Sequence, residues 1–174
     1  MSTCPTSTQP TIPVPDRRLV RLDLPEAPPL QSAYAEADRR QAVADILKEN
    51  RFDPIAPEGG DLGEGPFSLT LTLREGRLTF DIRDAQDQAL RAIILALGPF
   101  RRLIKDYIMV VESHELAVVS GDGEARLQAI DMGRRGLHNE GAELLIARLE
   151  GRVVLDHETA RRLFTLICAL HQRI

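Results

Sequence analysis

The sequence predicts an α+β fold: a small antiparallel sheet of three or four strands, with three or four helices packed on one face. Apolar and polar residues alternate in the first half of the chain, as they do in half-buried strands. In the second half, apolar residues recur every three or four positions, as in amphipathic helices. The chain has 174 residues and is 43% apolar, which is enough to form one hydrophobic core without disulfide bonds or structural metal ions.

The clearest predicted element is a β-hairpin in the segment FSLTLTLREGRLTFDIR, residues 67–83. Strict alternation runs through both arms. Glu75 and Gly76 are predicted to form a two-residue turn, because glycine readily adopts the positive φ that such turns need. The resulting register places two pairs opposite each other: Leu73 with Leu78, and Arg74 with Arg77.

The remaining elements follow from the same patterns. Strands are also predicted at residues 19–24 and 90–96, and the Pro- and Gly-rich residues 53–66 are predicted to form a loop. Helices are predicted at residues 32–50, from Pro99 to about Val119, at 124–150, and after Asp156. Ser32 and Asp156 are the expected N-caps, and Val118 and Val119 are expected on the inner stripe of the second helix.

The N-terminal segment and the cysteines indicate the domain organisation and the cellular compartment of the chain. Residues 1–16 contain four prolines and many Ser and Thr, which predicts a disordered tail before a single α+β domain at 17–174. Neither a secretory signal nor an apolar run of membrane-spanning length is recognisable. Cys4 and Cys168 are the only cysteines, so a reducing compartment, the cytoplasm, is expected.

Charge and composition argue against nucleic acid as a partner. The net charge is −4, aromatic residues make up 4% of the chain, and Trp is absent. Basic residues are nearly all arginine, with Lys48 and Lys105 as the only lysines. This bias indicates either planar anionic partners such as phosphate and carboxylate, or merely the base composition of the genome.

The densest polar segment is DMGRRGLHNEG, residues 131–141. If the helix is continuous, Asp131 meets Arg135 and Arg134 meets His138, each four residues apart. In the broken alternative, Gly136 ends one helix. Asn139 then caps the next helix, with Glu140 in its first turn. In both cases internal ion pairs could account for the charges without any ligand.

The same segment also supports a functional hypothesis. A helix break would free backbone N–H groups beside Arg134 and Arg135, making a site for phosphate or carboxylate. His138 and Glu140 could transfer a proton only if they converge on one substrate. The glycines do not have the spacing of a phosphate loop.

A second polar cluster follows Pro99 and comprises Arg101, Arg102, Lys105 and Asp106. Its default interpretation is a solvated helix face, with Arg102 and Asp106 paired. The alternative is a basic spot for a phosphate or an acidic partner, formed by Arg101 and Lys105 together. Tyr107 is expected in the core.

No metal site, cofactor or nucleophile is expected from the sequence. The four histidines are scattered without zinc-ligand spacing, and no GxSxG elbow occurs. Cys168 lies in the apolar segment LFTLICAL, where burial should make its thiol inert.

The blocks KENRFDPI, GPFRRLIKDYIMV, AIDMGRRGLHNEGAELLIARLEG and ETARRLFTLICALH resemble, in the same order, a family of short bacterial proteins catalogued only as an uncharacterised protein family. The resemblance covers residues 19–171, and the Pro-rich leader departs from it. It implies a bacterial cytoplasmic protein but no activity, cofactor or substrate. It also marks family-motif positions in two segments: Arg101, Arg102, Lys105, Asp106 and Tyr107, and Asp131, Gly133, Arg134, Arg135, Gly136, His138, Asn139, Glu140 and Gly141.

Three functional hypotheses remain open from the sequence. The first is a non-enzymatic cytoplasmic binding or adaptor protein whose Arg-rich helical surface contacts a protein or a phosphorylated ligand. The second is a small enzyme in which Arg134 and Arg135 hold an anionic metabolite while His138 or Glu140 transfers a proton. The third, RNA binding, is disfavoured by charge and composition. The candidate binding residues are Arg134, Arg135, Asn139, Arg101, Arg102 and Lys105, and a homo-oligomer is left open.

Overall fold

A computed structural model describes residues 15–171 and confirms the predicted α+β class. The predicted tail falls mostly on residues 1–14, outside the described residues. Within those residues the elements are, in order, β1 (Leu19–Asp23), α1 (Ala33–Lys48), β2 (Phe52–Pro54), β3 (Phe67–Arg74), β4 (Arg77–Arg83), β5 (Ala89–Ala96), α2 (Arg101–Val119), α3 (Glu124–Leu149), β6 (Val153–Leu155) and α4 (His157–His171). A single 3-10 turn at Gly98–Phe100 leads into α2.

The main sheet has the strand order β1-β3-β4-β5 and is mixed, whereas a purely antiparallel sheet was predicted. β1 pairs with β3 in parallel, because the chain crosses over through α1 and β2 before it returns to the sheet. The hairpin of β3 and β4 has the predicted register, with Leu73 opposite Leu78. Glu75 and Gly76 both have positive φ in the turn.

One face of this sheet is covered by helices, and α4 is the central helix. The inward residues of β3 and β4 are fully buried: Phe67, Leu69, Leu71, Leu78, Phe80 and Ile82. α4 is buried from Leu163 to Leu170, because it lies between the sheet and the other helices. α1 and α3 both contact α4, and α2 contacts α3. Polar side chains of these helices therefore meet where α1, α3 and α4 adjoin.

The predicted loop at 53–66 begins with a short strand that the sequence did not indicate. β2 pairs with β6 in a separate two-stranded antiparallel sheet. Three residues are too few to show alternation, and the pairing partner lies about one hundred positions away in the chain. Local patterns therefore gave no signal for this pair.

α3 is unbroken through the DMGRRGLHNEG segment, which resolves the alternative left open by the sequence. Apart from adjacent residues and the backbone of its own helix, a Cβ placed on Gly133 or Gly136 would meet no atom within 4 Å. Neither a helix break nor close packing within the described chain therefore requires these two glycines. Gly141 differs, because its Cβ would lie 2.2 Å from Cδ1 of Phe164.

The end of α2 departs from the predicted inner stripe. Val118 and Val119 are 55% and 85% exposed rather than buried. In the last two turns of α2 only Ala117 is buried, so the core ends before the helix does. The apolar side chains at this end of α2 face solvent.

Candidate functional site

A cluster of polar side chains lies between the helices, with Arg134 at its centre. Nη1 of Arg134 donates to Oδ1 of Asp38 on α1 at 2.8 Å. Nε of the same guanidinium donates to Oδ1 of Asp131, one turn earlier on α3, also at 2.8 Å. Arg134 is only 15% exposed at its side chain, so these charge-assisted hydrogen bonds fix its position.

Asp38 is shared by three groups from two other helices. Besides its bond to Arg134, it accepts a hydrogen bond from the Tyr107 hydroxyl at 2.9 Å on Oδ2. Nε2 of His138 lies 3.5 Å from the same oxygen. Burial raises the pKa of Asp38, and this effect outweighs the opposing charge of Arg134 and the hydrogen bond of Tyr107. The carboxyl group therefore connects α1 with α2 and α3.

His138 is a buried, neutral histidine. Its side chain is 2% exposed, and its ring stacks on Tyr107 with the ring centroids 5.4 Å apart. Burial lowers its pKa to about 3, and the positive charges of Arg134 and Arg161 act in the same direction. The imidazole is therefore uncharged at neutral pH and lacks the acidic proton of an imidazolium.

Asp131 extends the cluster towards the surface. Its Oδ1 accepts from the Tyr34 hydroxyl at 3.0 Å, and its Oδ2 lies 3.0 Å from Nε of Arg135. Burial opposes ionisation of Asp131, but the hydrogen bond and charge of Arg134 lower its pKa overall. Tyr34 stacks on His114 with the ring centroids 3.9 Å apart, and burial raises the pKa of Tyr34 to about 12. These partners hold the outer end of the cluster in place.

A groove of about 310 Å³ opens beside this cluster, between α1, α3 and α4. Four guanidinium groups reach it, two from α3 and two from α4: Arg134, Arg135, Arg161 and Arg162. Asp38 and Asp45 are its two carboxylates, and His138 and Thr165 also contribute to the lining. Because His138 is neutral, the four arginines outnumber the two aspartates, and the lining carries a net positive charge.

The two α4 arginines are held less tightly than Arg134. Nε of Arg161 is buried and has no hydrogen-bond partner within the described residues, while its Nη1 lies 3.4 Å from Glu158. Nε of Arg162 is 3.8 Å from a carboxylate oxygen of Asp45, and its Nη1 donates to the carbonyl oxygens of Asp45 and Glu49 at 3.4 and 3.2 Å. The guanidinium groups of Arg161 and Arg162 therefore retain N–H donors that have no close partner within the described residues.

The predicted site residues separate into two sets. Arg134, Arg135 and His138 all line the groove. Glu140 does not join them, because it is half-exposed and bonds Arg102 on α2 at 3.1 Å. His138 and Glu140 thus lie on different sides of α3 and do not converge as a proton-transfer pair would have to. Asn139 is also exposed, outside the groove.

The α2 candidates lie on a separate surface. Arg102 pairs with Asp106 at 3.2 Å, as its spacing predicted, and with Glu140 of α3. Arg101 and Lys105 are exposed on the outer side of α2 and do not line the groove. The two basic clusters of the sequence are therefore not one binding surface.

Several residues of the site were not among the sequence candidates: Asp38, Arg161, Arg162 and Thr165. Tyr107 was placed in the core, which its burial confirms, but its hydroxyl bond to Asp38 was not foreseen. A weak signal was present, because Arg161 and Arg162 are neighbours within the ETARRLFTLICALH block. Nothing local connects Asp38 with Arg134, which is 96 residues away.

Two further observations concern metal binding and membrane spanning by residues 15–171. These residues contain no group of three or more His, Cys, Asp or Glu side chains arranged to hold a metal ion. None of their helices is both long enough and apolar enough to cross a membrane.

Fold and site together define a small α+β protein with an arginine-lined groove between helices. The chain belongs to the uncharacterised protein family UPF0262, whose model matches residues 16–173. It is 56% identical to a UPF0262 protein of Acidiphilium cryptum over 145 residues, covering 82% of this chain and 84% of the relative. A UPF0262 protein of Granulibacter bethesdensis is 53% identical over 178 residues, covering 100% of both chains. One from Rhodospirillum rubrum is 54% identical over 139 residues, covering 79% of this chain and 81% of the relative. No solved structure matches the chain.

Proposed function

We propose that this protein is a non-enzymatic binding protein of the bacterial cytoplasm that holds an anionic group in the groove between α1, α3 and α4. The group is a phosphate or a carboxylate, carried by a small molecule or by a protein partner. The observation that carries the proposal is the convergence of four guanidinium groups on one groove that contains only two carboxylates. Guanidinium groups bind such oxyanions through paired N–H donors.

The four arginines differ in how fully their N–H groups are already hydrogen-bonded, and this difference supports the proposed function. Arg134 is already engaged by Asp38 and Asp131, so its role is to position the groove. The buried Nε of Arg161 has no partner within the described residues, and an unpaired buried donor is unfavourable. An anion in the groove would lie beside the positive charge of this guanidinium. Arg162, with its nearest carboxylate oxygens 3.8 Å away, and the half-exposed Arg135 would add charge around the same oxygen atoms.

The protonation states favour binding over catalysis. His138 is neutral and almost fully buried, with a pKa of about 3, so it is a poor donor and a poor acceptor of protons at neutral pH. Glu140 pairs with Arg102 outside the groove. The two residues proposed for proton transfer are therefore poorly placed for that role.

The test is a titration of the full chain with pyrophosphate, followed by proton–nitrogen NMR. We expect chemical-shift changes concentrated at Arg135, Arg161, Arg162 and their neighbours. Arg161→Gln should weaken binding about tenfold, as expected for the loss of one charge-assisted contact. Arg126→Gln is the matched control, because Arg126 is exposed on α3 and does not line the groove. No shifts at millimolar pyrophosphate, or equal effects of both variants, would count against the proposal.

One observation favours the alternative of a small enzyme acting on an anionic metabolite. Asp38 lines the groove, and burial raises its pKa, which brings a carboxyl group closer to the range useful for proton transfer. Hydrolysis of p-nitrophenyl phosphate by the wild-type chain, lost in Asp38→Asn while pyrophosphate still binds, would favour this alternative. Absence of turnover with intact binding would favour the binding protein.

A further inference from the structure

We propose that the outer face of α2 forms the interface of a symmetric homodimer, in which α2 helices from two copies of the chain pair in antiparallel orientation. The interface residues are Arg101, Lys105, Met109, Glu112, Glu115, Leu116 and Val119. None of them lines the arginine groove, so this inference does not depend on the proposed function.

Three apolar side chains lie along this face. Met109, Leu116 and Val119 are exposed, and Leu116 is 67% exposed. Their spacing of seven and then three residues keeps them on one side of a helix that has 3.6 residues per turn. Tyr107 and Val111 of the same helix are buried, so this side points away from the core of its own chain. Exposed apolar stripes at this spacing are typical of helices that pair with another helix.

The charges on the same face are segregated along the helix. Arg101 and Lys105 lie towards its N-terminal end, and Glu112 and Glu115 towards its C-terminal end. None of the four forms an ion pair within residues 15–171. Like charges three or four residues apart on a helix repel each other, so each end lacks its complement among the described residues.

An antiparallel second copy supplies that complement at both ends. With the two-fold axis passing near Met109, Lys105 of one copy faces Glu112 of the other, and the symmetry repeats this contact. Arg101 then lies opposite Leu116 and Glu115, where its aliphatic stem can cover the leucine and its head can reach the carboxylate. The surface is thus complementary to itself, as a closed two-fold interface requires. A parallel pair would instead bring like charges together.

The test is sedimentation equilibrium of the full chain combined with charge reversal. We expect the wild-type chain to form a dimer. Lys105→Glu and Glu112→Lys should each weaken dimerisation at least about tenfold, because each places like charges opposite each other twice. The double variant K105E/E112K should restore the wild-type association to within a few-fold. Lys48→Glu on α1, which reverses the only other lysine, should leave the dimer unchanged.

Each other outcome would overturn the proposal. A wild-type chain that stays monomeric at several hundred micromolar excludes a stable interface. A dimer that neither charge reversal affects, or a double variant weaker than both single variants, excludes this pairing of Lys105 with Glu112. The variants are at exposed positions, and far-UV circular dichroism confirms that each is folded. Leu116→Glu gives a second measurement, since it should abolish the dimer without disturbing the core.

Discussion

Arg134 of α3 and Asp38 of α1 form an ion pair at 2.8 Å, with both side chains less than one-sixth exposed. The pair joins two helices that are distant in the chain. It also sets one wall of the groove, because both residues line it. Its energetic role is the first property that can be tested.

Removing one partner of this pair should destabilise the fold. Arg134→Met leaves the Asp38 carboxylate buried without its strongest partner, and we expect a loss of about 3 kcal/mol in the free energy of unfolding. Arg102→Met removes two exposed ion pairs, with Asp106 and Glu140, and should cost less than about 1 kcal/mol. Urea unfolding measures both. Equal losses in the two variants would show that the buried ion pair contributes no more to the free energy of unfolding than the exposed ones.

A double-mutant cycle separates the pair from its surroundings. Asp38→Asn also alters the hydrogen bond from Tyr107 and the contact with His138. The coupling energy with Arg134→Met therefore isolates the ion pair itself, and we expect about 1–3 kcal/mol. Strictly additive losses would contradict a direct interaction.

Stability should fall on acidification because of His138. Its pKa is lowered from 6.5 to about 3 on folding, so between these pH values the unfolded chain binds a proton that the folded chain excludes. This contribution is complete above pH 6.5 and is lost as the pH falls towards 3, at up to about 1.4 kcal/mol per pH unit. His138→Gln should flatten this part of the profile between pH 7.5 and 4.5, measured by urea unfolding.

The difference between variant and wild type is what identifies His138, because carboxylates also titrate in this range. The raised pKa of Asp38 acts in the opposite sense, stabilising the fold as it takes up a proton. His157→Gln, at a histidine whose side chain is 44% exposed, is the control for removing an imidazole from the surface. A wild-type profile that matches that of His138→Gln would show that the buried imidazole titrates normally.

The glycines of α3 should respond oppositely to alanine. Gly136→Ala should stabilise the fold by up to about 1 kcal/mol, because its Cβ meets no atom within 4 Å and glycine is unfavourable inside a helix. Gly141→Ala should destabilise it by about 1–3 kcal/mol, because the new methyl group collides with Phe164. Thermal unfolding compares the two. A destabilising Gly136→Ala would mean that something outside this fold approaches the helix there.

The Cys168 thiol should be unreactive in the folded protein. It is fully buried, and burial raises its pKa, so almost no thiolate forms at neutral pH. In a Cys4→Ser background, modification by a thiol reagent should therefore proceed only as fast as the fold opens. Adding urea should speed it in step with unfolding. Rapid modification of the native chain would contradict this burial.

The elements predicted from local patterns match the structure where the pattern extends over many residues. The hairpin register of β3 and β4 and the span of α3 are examples, since alternation and helical periodicity report which side of an element is buried. The parallel pairing of β1 and the short β2–β6 sheet were not predicted. Both depend on contacts between segments that are far apart in the chain.

The sequence by itself determined the α+β class and most of the helices and strands, and it singled out Arg134, Arg135 and His138 as candidates. Only the tertiary structure brought Asp38 to Arg134 and placed Arg161 beside the same groove. It also buried His138 and separated it from Glu140. The physical reason is that periodicity encodes which face of a helix is apolar, whereas the neighbours of a polar side chain depend on how the helices pack against one another. Protonation depends on the same packing, because burial and nearby charges set the pKa.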